Sequence, residues 1–299
     1  MRALLSGVPV RLVGRQEPEG SVGRRADRDA GRGVSFPSGP FWLIGCGNMA
    51  GAMLRRWLSQ GLDPAQVTVI TRSGRGAPEG VRSLTALPID ETPATLMLGF
   101  KPQQLDDIAP TLSHLNPKLL LSILAGVEEA ALATRIPAGA TVRMMPNLPV
   151  AIGQGVTALF TRSTDAEIRA HAQSLAEALG LAPWIEDEAR FDAVTALAGC
   201  GPAFVFRFID AIAQAGVALG LDAELAQRLA LATVDGAGSM AIGADASPGT
   251  LADRVASPGG STREGLNVLD ADDGLNTLMA ATLAASERRN REMAAAARR

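Results

Sequence analysis

A glycine-rich turn near the first apolar segment of the chain has the spacing of a nucleotide-binding loop. Gly45, Gly47 and Ala50 occupy the small positions of a Gly-x-Gly-x-x-Ala pattern, between the apolar run 41–44 and a helical segment. The first glycine permits a tight turn, the second lets a pyrophosphate approach the backbone, and the third small residue lets helix and strand pack closely. The pattern predicts a dinucleotide site, with a plain tight turn as the alternative.

The next apolar segment, 67–71, ends in residues that indicate which dinucleotide binds. An NAD site commonly has an acidic residue here, which binds the ribose hydroxyl groups. This chain has Thr-Arg-Ser-Gly-Arg at 71–75, and the guanidinium and hydroxyl groups of Arg72, Ser73 and Arg75 suit a 2′-phosphate. We therefore expect NADP(H), with NAD(H) as a weaker alternative cofactor. An ordinary exposed basic turn would have the same composition.

A second glycine-rich segment, Ser-Pro-Gly-Gly-Ser-Thr at 257–262, precedes the helical run 263–269. Paired glycines can turn successive N–H groups inward, which at a helix start makes an anion site of carboxylate size. The hydroxyl groups of Ser261 and Thr262 would add donors. The alternative is a capping box between Ser261 and Glu264, which needs no ligand. The spacing alone does not decide between the two.

Side chains that commonly transfer protons near neutral pH are scarce in this chain. It has no Tyr and two His, and no Lys, His or Tyr follows His171. The two cysteines, Cys46 and Cys200, each lie between glycines, and two are too few for a disulfide framework or a tetrahedral metal site. We interpret both as small residues at close backbone approaches, and we expect no metal.

Apolar runs alternate with helical stretches up to about residue 160, which predicts an α/β fold with a doubly wound, mostly parallel sheet. Beyond that point the pattern is almost wholly helical. The segment 203–219 is apolar nearly all round, which is typical of a helix in a bundle centre or in a dimer interface. We expect a Rossmann-like dinucleotide-binding domain at 41–160 and an all-helical domain at 161–299. The predicted strands are 41–44, 67–71, 95–100, 119–124 and 142–145.

Overall composition narrows the class of protein. The 299 residues are 47% apolar and 20% charged, as in globular proteins, and the net charge of −3 indicates no nucleic-acid partner. The nearly apolar stretch 119–127 is too short to cross a bilayer, so we expect no membrane partner. The low cysteine content fits a cytoplasmic location. Residues 1–40, with seven Arg and seven Gly, are interpreted as a disordered extension.

Three motifs of the chain resemble those of the pyrroline-5-carboxylate reductase family. They are Met-Pro-Asn-Leu-Pro at 145–149, Gly-Cys-Gly-Pro-Ala-Phe at 199–204 and Ser-Pro-Gly-Gly-Ser-Thr at 257–262. The turn at 100–103 and the pair Ala125-Gly126 are also similar, and the resemblance runs from about residue 41 to 292. The chain departs from the family pattern at Leu148, where the family has Thr, and at Ala198 and Cys200, where it has Ser.

The resemblance implies an enzyme that reduces 1-pyrroline-5-carboxylate to L-proline with NAD(P)H. It also implies that the helical domain dimerises through interlocking helices and that dimers often assemble further. It assigns the cofactor pyrophosphate to Gly45, Gly47, Asn48 and Met49, the 2′-phosphate to Arg72 and Ser73, and the ribose and nicotinamide to Lys101, Pro102 and Ala125. It assigns the substrate carboxylate to Gly260, Ser261 and Thr262, the ring nitrogen to the Thr262 hydroxyl, and a place beside the substrate pocket to Glu188.

The scarcity of proton donors agrees with an imine substrate. Hydride transfer to a ketone needs a proton donor for the developing alkoxide. An imine nitrogen can arrive already protonated, so that positioning carries much of the rate. A hydroxyacid dehydrogenase is therefore disfavoured by the missing Lys in the second domain. A general imine reductase and a non-catalytic NADP-binding sensor or scaffold are also compatible with these residues, since a fold alone does not establish a function.

Overall fold

The computed structural model describes Phe36 and residues 38–297. The interpretation of residues 1–40 as a disordered extension falls almost entirely outside the described residues. The first strand begins at Phe41, where the apolar run was expected.

Eight strands form a sheet in the order β3-β2-β1-β4-β5-β6-β7-β8. The first six are paired in parallel, and β7 runs antiparallel to β6 with Phe160 opposite Arg143. The predicted doubly wound, mostly parallel sheet is therefore confirmed. The strands are β1 Phe41–Ile44, β2 Val67–Ile70, β3 Arg82–Leu84, β4 Thr95–Leu98, β5 Leu119–Ser122, β6 Ala140–Pro146, β7 Gly155–Phe160 and β8 Gly180–Leu181.

Helices cover both faces of the sheet, and every residue of the central strands β1, β4 and β5 is buried. On one face, Trp42 and Leu96 pack with Leu105 and Leu132 of the helices that follow β4 and β5. On the other face, Phe41 contacts Trp57 with ring centroids 5.7 Å apart. The helices of this part are α1 Asn48–Ser59, α2 Leu105–Leu112, α3 Glu129–Arg135 and α4 Ala166–Glu177.

The sheet continues past the predicted domain division at residue 160. Strand β8 pairs with β7 through Gly155 and Gly180, and an isolated bridge joins Leu159 to Trp184. Helix α4 is tied to α1 because the indole Nε1 of Trp57 donates a 2.7 Å hydrogen bond to the carbonyl of Leu175. Residues 161–184 therefore pack with the sheet.

The remaining described chain is helical, and α6 and α7 pack against each other. Its elements are α5 Phe191–Val194, a π-helical turn Thr195–Gly199, α6 Gly201–Ala218, α7 Ala223–Ile242, α8 Pro248–Arg254, α9 Ser261–Asp270 and α10 Gly274–Ala297.

Helix α6 is not the buried bundle helix that its apolar sequence suggested. None of its residues is buried within the chain, and the side chain of Phe206 is 55% exposed. Residues 188–218 form a helical run that is long and apolar enough to cross a membrane, by length and composition alone. Of the two expectations for this helix, burial in the centre of a bundle is wrong for the single chain. The dimer-interface alternative stays a prediction.

Candidate active site

A cleft of about 1090 Å³ opens where β1, β2 and β4 end, and it brings most of the predicted cofactor residues together. Ligands of doubly wound sheets bind at this edge, outside the carboxyl ends of the strands. Pro102 and Ala125 do not line the cleft. Pro102 lies directly after Lys101, and Ala125 packs against the cluster that contains Met145, a residue of the cleft wall. The predicted residues that do line it are Gly45, Gly47, Asn48, Met49, Arg72, Ser73 and Lys101.

The packing of the start of α1 against the ends of β1 and β4 leaves no room for a side chain at Gly45 or Gly99. Gly45 has φ +84°, and a Cβ there would lie 2.9 Å from the backbone nitrogen of Phe100. A Cβ on Gly99 would lie 2.7 Å from the Cβ of Ala50. Only small residues at these positions let the start of α1 pack directly on the ends of β1 and β4.

The second glycine of the turn faces open space. A Cβ on Gly47 would meet no atom within 4 Å. Gly47 is the N-cap of α1, no side chain caps this helix end, and no acidic residue lies in its first turn. The first N–H groups of the helix and the positive end of its dipole are therefore available to an anion. The space and the donors fit the pyrophosphate of a dinucleotide.

The loop after β2 carries two exposed arginines beside the cleft, Arg72 and Arg75. Within the described chain neither guanidinium pairs with a carboxylate. The loop is held by its own polar groups, since Thr71 Oγ1 donates to the carbonyl of Arg75 over 3.2 Å and the Arg75 N–H donates to Ser73 Oγ over 3.3 Å. Two unpaired cations and a hydroxyl group on one short loop suit a phosphate dianion.

Cys46 joins this loop to the glycine turn. Its Sγ lies 3.3 Å from the carbonyl oxygen of Gly76, to which the thiol donates. Burial raises the pKa of the Cys46 thiol, an effect that the nearby Arg55 only partly offsets. The thiol therefore stays protonated at neutral pH and acts as a small hydrogen-bonding side chain, as the glycine neighbours suggested.

The far wall of the cleft was not predicted from the sequence. Residues 85–87 line it after β3, together with Ile108 and Thr111 of α2. Strand β3 is short and partly exposed, so it left no apolar run in the sequence. The sequence offered one indication of this wall, which is the place of residues 85–87 along the chain. They follow the Arg72 loop, and the chain returns there to the edge of the sheet.

Glu188 lies in a separate, smaller cleft of about 380 Å³ that also contains Gly126, Arg143 and Asp192. Its Oε1 accepts hydrogen bonds from Arg143 Nη1 at 2.8 Å and from the backbone N–H of Glu129 at 2.7 Å. Its Oε2 accepts from Arg162 Nη2 at 3.3 Å. Both carboxylate oxygens therefore bind other parts of the chain, and Glu188 fastens the start of α3 to β6.

Burial also affects the acidic residues around this ion pair. Desolvation raises the pKa of Asp192, although the charges of Arg143 and Arg291 oppose the shift. Desolvation likewise raises the pKa of Glu129, with Arg162 as the largest opposing charge. Arg143 also lies over the ring of Phe191, 4.4 Å from its centroid. The cluster is thus a tightly packed junction between the sheet and α5.

The predicted carboxylate site lies at the start of α9 and contributes to neither of these clefts. The N-cap is Gly260 and no side chain caps the helix, so the capping box between Ser261 and Glu264 is wrong. Gly259 has φ +70°, which shapes the turn before the helix. Within the described chain, the hydroxyl groups of Ser261 and Thr262 have no hydrogen-bond partner, which leaves them and the first helical N–H groups as donors.

A glycine-turn cleft at the carboxyl ends of a parallel sheet, followed by a helical region, is the arrangement of a dinucleotide-binding oxidoreductase. Two family models match the chain. Residues 188–293 match one described as pyrroline-5-carboxylate reductase dimerisation, and residues 41–126 match one described as NADP oxidoreductase, coenzyme F420-dependent.

Relatives cover nearly the whole described chain. The pyrroline-5-carboxylate reductase of Pseudomonas aeruginosa is 34% identical over 84% of this chain and 96% of its own length. The pyrroline-5-carboxylate reductase of Glycine max is 36% identical over 82% of this chain and 93% of its own length. The structure of a pyrroline-5-carboxylate reductase from Coxiella burnetii has a TM-score of 0.73 and 28% identity, over 86% of this chain and 98% of its own. The chain belongs to the pyrroline-5-carboxylate reductase family.

Replacement of Glu188 tests whether its carboxylate is structural. Glu188→Ala leaves Arg143, whose side chain is only 6% exposed, as an uncompensated charge. Breaking a buried pair in this way costs about 3–5 kcal/mol of unfolding free energy. Urea denaturation measures the loss. Glu91→Ala is the matched control, because Glu91 and Arg82 are each 47% exposed, and its effect should be much smaller. Equal effects of the two substitutions would contradict the structural role.

Proposed function

We propose that this protein reduces 1-pyrroline-5-carboxylate to L-proline with NADPH. The observation that carries the proposal is the presence, in one chain of this family, of a dinucleotide cleft and an uncapped helix start with free donors. Curated relatives bearing the reductase name match this chain over almost their entire length. When bound, NADPH supplies the hydride.

The residues of the cleft support NADPH as the cofactor. Gly47 and the first N–H groups of α1 bind the pyrophosphate, with Asn48 and Met49 beside them. Arg72, Ser73 and Arg75 bind the 2′-phosphate, since charge-assisted hydrogen bonds to phosphate are strong and Arg provides them in pairs. Lys101, Pro102 and Ala125 are proposed as the ribose and nicotinamide contacts. NADH, which lacks the 2′-phosphate, is the weaker alternative.

The start of α9 is proposed as the substrate anchor. Gly260 turns the chain into the helix, and the N–H groups of Ser261 and Thr262 with the hydroxyl of Thr262 bind the carboxylate of the substrate, with the Thr262 hydroxyl also near its ring nitrogen. The region after His171 contains no Lys, His or Tyr, so a substrate that arrives as a protonated imine fits it best. Glu188 is proposed to lie beside the substrate pocket. It would also hold the start of α3 in place, because its carboxylate accepts a hydrogen bond from the N–H of Glu129.

A homodimer formed through the helical region is proposed to complete the site. The α9 anchor does not line the dinucleotide cleft of its own chain, and the apolar face of α6 is uncovered. A second copy that covers α6 would account for both facts, and dimers can assemble further. We propose that the helical domain begins at Glu188, where the match to the dimerisation family begins. We also propose that the protein is located in the cytoplasm.

Thr262 tests the substrate anchor. Thr262→Ala removes a hydroxyl donor to a charged ligand, which should lower kcat/KM for 1-pyrroline-5-carboxylate by about 10- to 100-fold. Thr262→Ser is the matched control and should retain most activity, because it keeps the hydroxyl. Steady-state kinetics at saturating NADPH measure both. Wild-type activity in Thr262→Ala would remove the residue from the site, and inactivity of wild type would favour a sensor or scaffold.

Arg72 and Arg75 test the choice of cofactor. Each change to Ala should raise the KM for NADPH about tenfold, because a charge-assisted contact to the 2′-phosphate is lost. The KM for NADH should stay within about twofold, so NADH is an internal control for folding. Parallel effects on the two cofactors would place these arginines away from the 2′-phosphate.

Phe206 tests the proposed interface. Wild type should be dimeric or larger by light scattering in detergent-free buffer, and Phe206→Asp should reduce the mass of the assembly and the activity. Ile89→Asp is the control, because Ile89 is 96% exposed but lies in the sheet domain, away from α6. A monomeric wild type, or a wild type that needs detergent to stay dispersed, would contradict the homodimer and favour a membrane role for residues 188–218.

A further inference from the structure

Asn147 is buried and makes two side-chain hydrogen bonds across the fold. Its Nδ2 donates to the carbonyl of Ala198 over 3.0 Å, and its Oδ1 accepts from the N–H of Val156 at 2.8 Å. Its backbone N–H also donates to the carbonyl of Val156. The residue is 6% exposed, so both ends of its amide are satisfied by protein groups.

The carbonyl of Ala198 needs this donor because of Pro202. In an α-helix the carbonyl of residue 198 would accept from the N–H of residue 202, but proline has none. The N–H of Ala203 bonds to Cys200 instead, and the N–H of Cys200 bonds back to Thr195 in the π-helical turn. Because Pro202 has no N–H, the carbonyl of Ala198 lacks its usual helical donor and accepts a hydrogen bond from the side chain of Asn147 instead.

The two ends of this contact lie in different halves of the proposed enzyme. Asn147 directly follows Met145 and Pro146, which line the dinucleotide cleft at the end of β6. Ala198 belongs to the π-helical turn that leads into α6, the helix with the uncovered apolar face. The hydrogen bond therefore joins the wall of the cleft to the entry of the helical region.

We propose that Asn147 is a positioning residue for hydride transfer. Its Nδ2 donates the hydrogen bond to Ala198 that Pro202 cannot donate, and this bond keeps the start of α6 aligned with the wall of the cleft. The inference rests on the proposed function, since it concerns the alignment of the two halves of the site. Asn147 does not line the cleft itself, so cofactor binding should not depend on it. A misalignment of about 1 Å can lower a rate by about 100-fold without loss of binding.

The first test is Asn147→Asp, which keeps an acceptor for Val156, replaces the Nδ2 donor by an oxygen that faces the carbonyl of Ala198, and adds a negative charge. It should lower kcat about 10- to 100-fold and enlarge the primary deuterium isotope effect on kcat, with the Kd of NADPH within about twofold of wild type. Asn116→Asp, which makes the same chemical change at an exposed position, should change none of these quantities. Wild-type kcat and isotope effect in Asn147→Asp would overturn the proposal.

The second test is a double-mutant cycle with Pro202→Ala, which restores an N–H four residues after Ala198. In that background the loss from Asn147→Asp should shrink at least threefold in kcat, and the drop in the urea midpoint should shrink as well. Additive effects of the two substitutions on kcat and on the urea midpoint would overturn the proposal that Asn147 supplies the hydrogen bond that Pro202 cannot. If Asn147→Asp does not fold, Asn147→Ala replaces it in the cycle.

The urea midpoints separate this inference from the proposed function, because they need no turnover. A wild type that leaves 1-pyrroline-5-carboxylate unreduced would refute the proposed function, while the midpoints would still show whether Asn147 and Pro202 are coupled.

Discussion

The structure depends on one close contact, in which the start of α1 packs on the ends of β1 and β4 with no space for a methyl group. Gly45 and Gly99 lie on either side of this contact and Ala50 fills it. An added side chain in a packed site of this kind costs about 1–3 kcal/mol through overpacking. Because the contact places the helix N-terminus at the sheet edge, the free N–H groups of α1 face the cleft rather than solvent. The Arg72 loop reaches the same edge and is tied to the turn through Cys46.

A second constraint acts on the helical region, which does not cover its own apolar surface. Its attachment to the sheet combines an apolar cluster, in which Phe191 of α5 packs with Met145 and Phe160, and a few polar contacts. The buried pair of Arg143 and Glu188 joins β6 to the segment before α5, and Asn147 joins the end of β6 to the π-helical turn. Within the helical region, the backbone carbonyl of Asp192 in α5 accepts a hydrogen bond from Asn290 of α10. Since buried ion pairs contribute little net stability relative to apolar packing, the Arg143–Glu188 pair adds little to the stability that the apolar cluster provides.

The sequence predicted the central sheet well because parallel strands buried on both faces are short, uninterrupted apolar runs. Strand β3 was missed because it is short and partly exposed, and the two-residue strand β8 was missed because it follows the point where the pattern becomes helical. Strand β7 was also missed, although Gly155–Phe160 lies before that point. The glycine turn and the Arg72 loop were predictable because backbone sterics and charge require particular residue types at fixed spacing. The capping box failed because the helix starts one residue earlier than Ser261 required. Tertiary partners leave no local signal, so the contacts of Glu188 and Asn147, and the exposure of α6, could not be derived from spacing.

The proposed activity depends on the transfer of a hydride from NADPH to the carbon of a cyclic imine. The most direct measurement is the mass of the product after reaction of 1-pyrroline-5-carboxylate with NADPH deuterated at the transferring position. We expect L-proline that carries one deuterium at carbon 5, with one NADPH consumed per proline formed. Proline without deuterium, or no proline from folded protein that binds NADPH, would contradict hydride transfer to the imine.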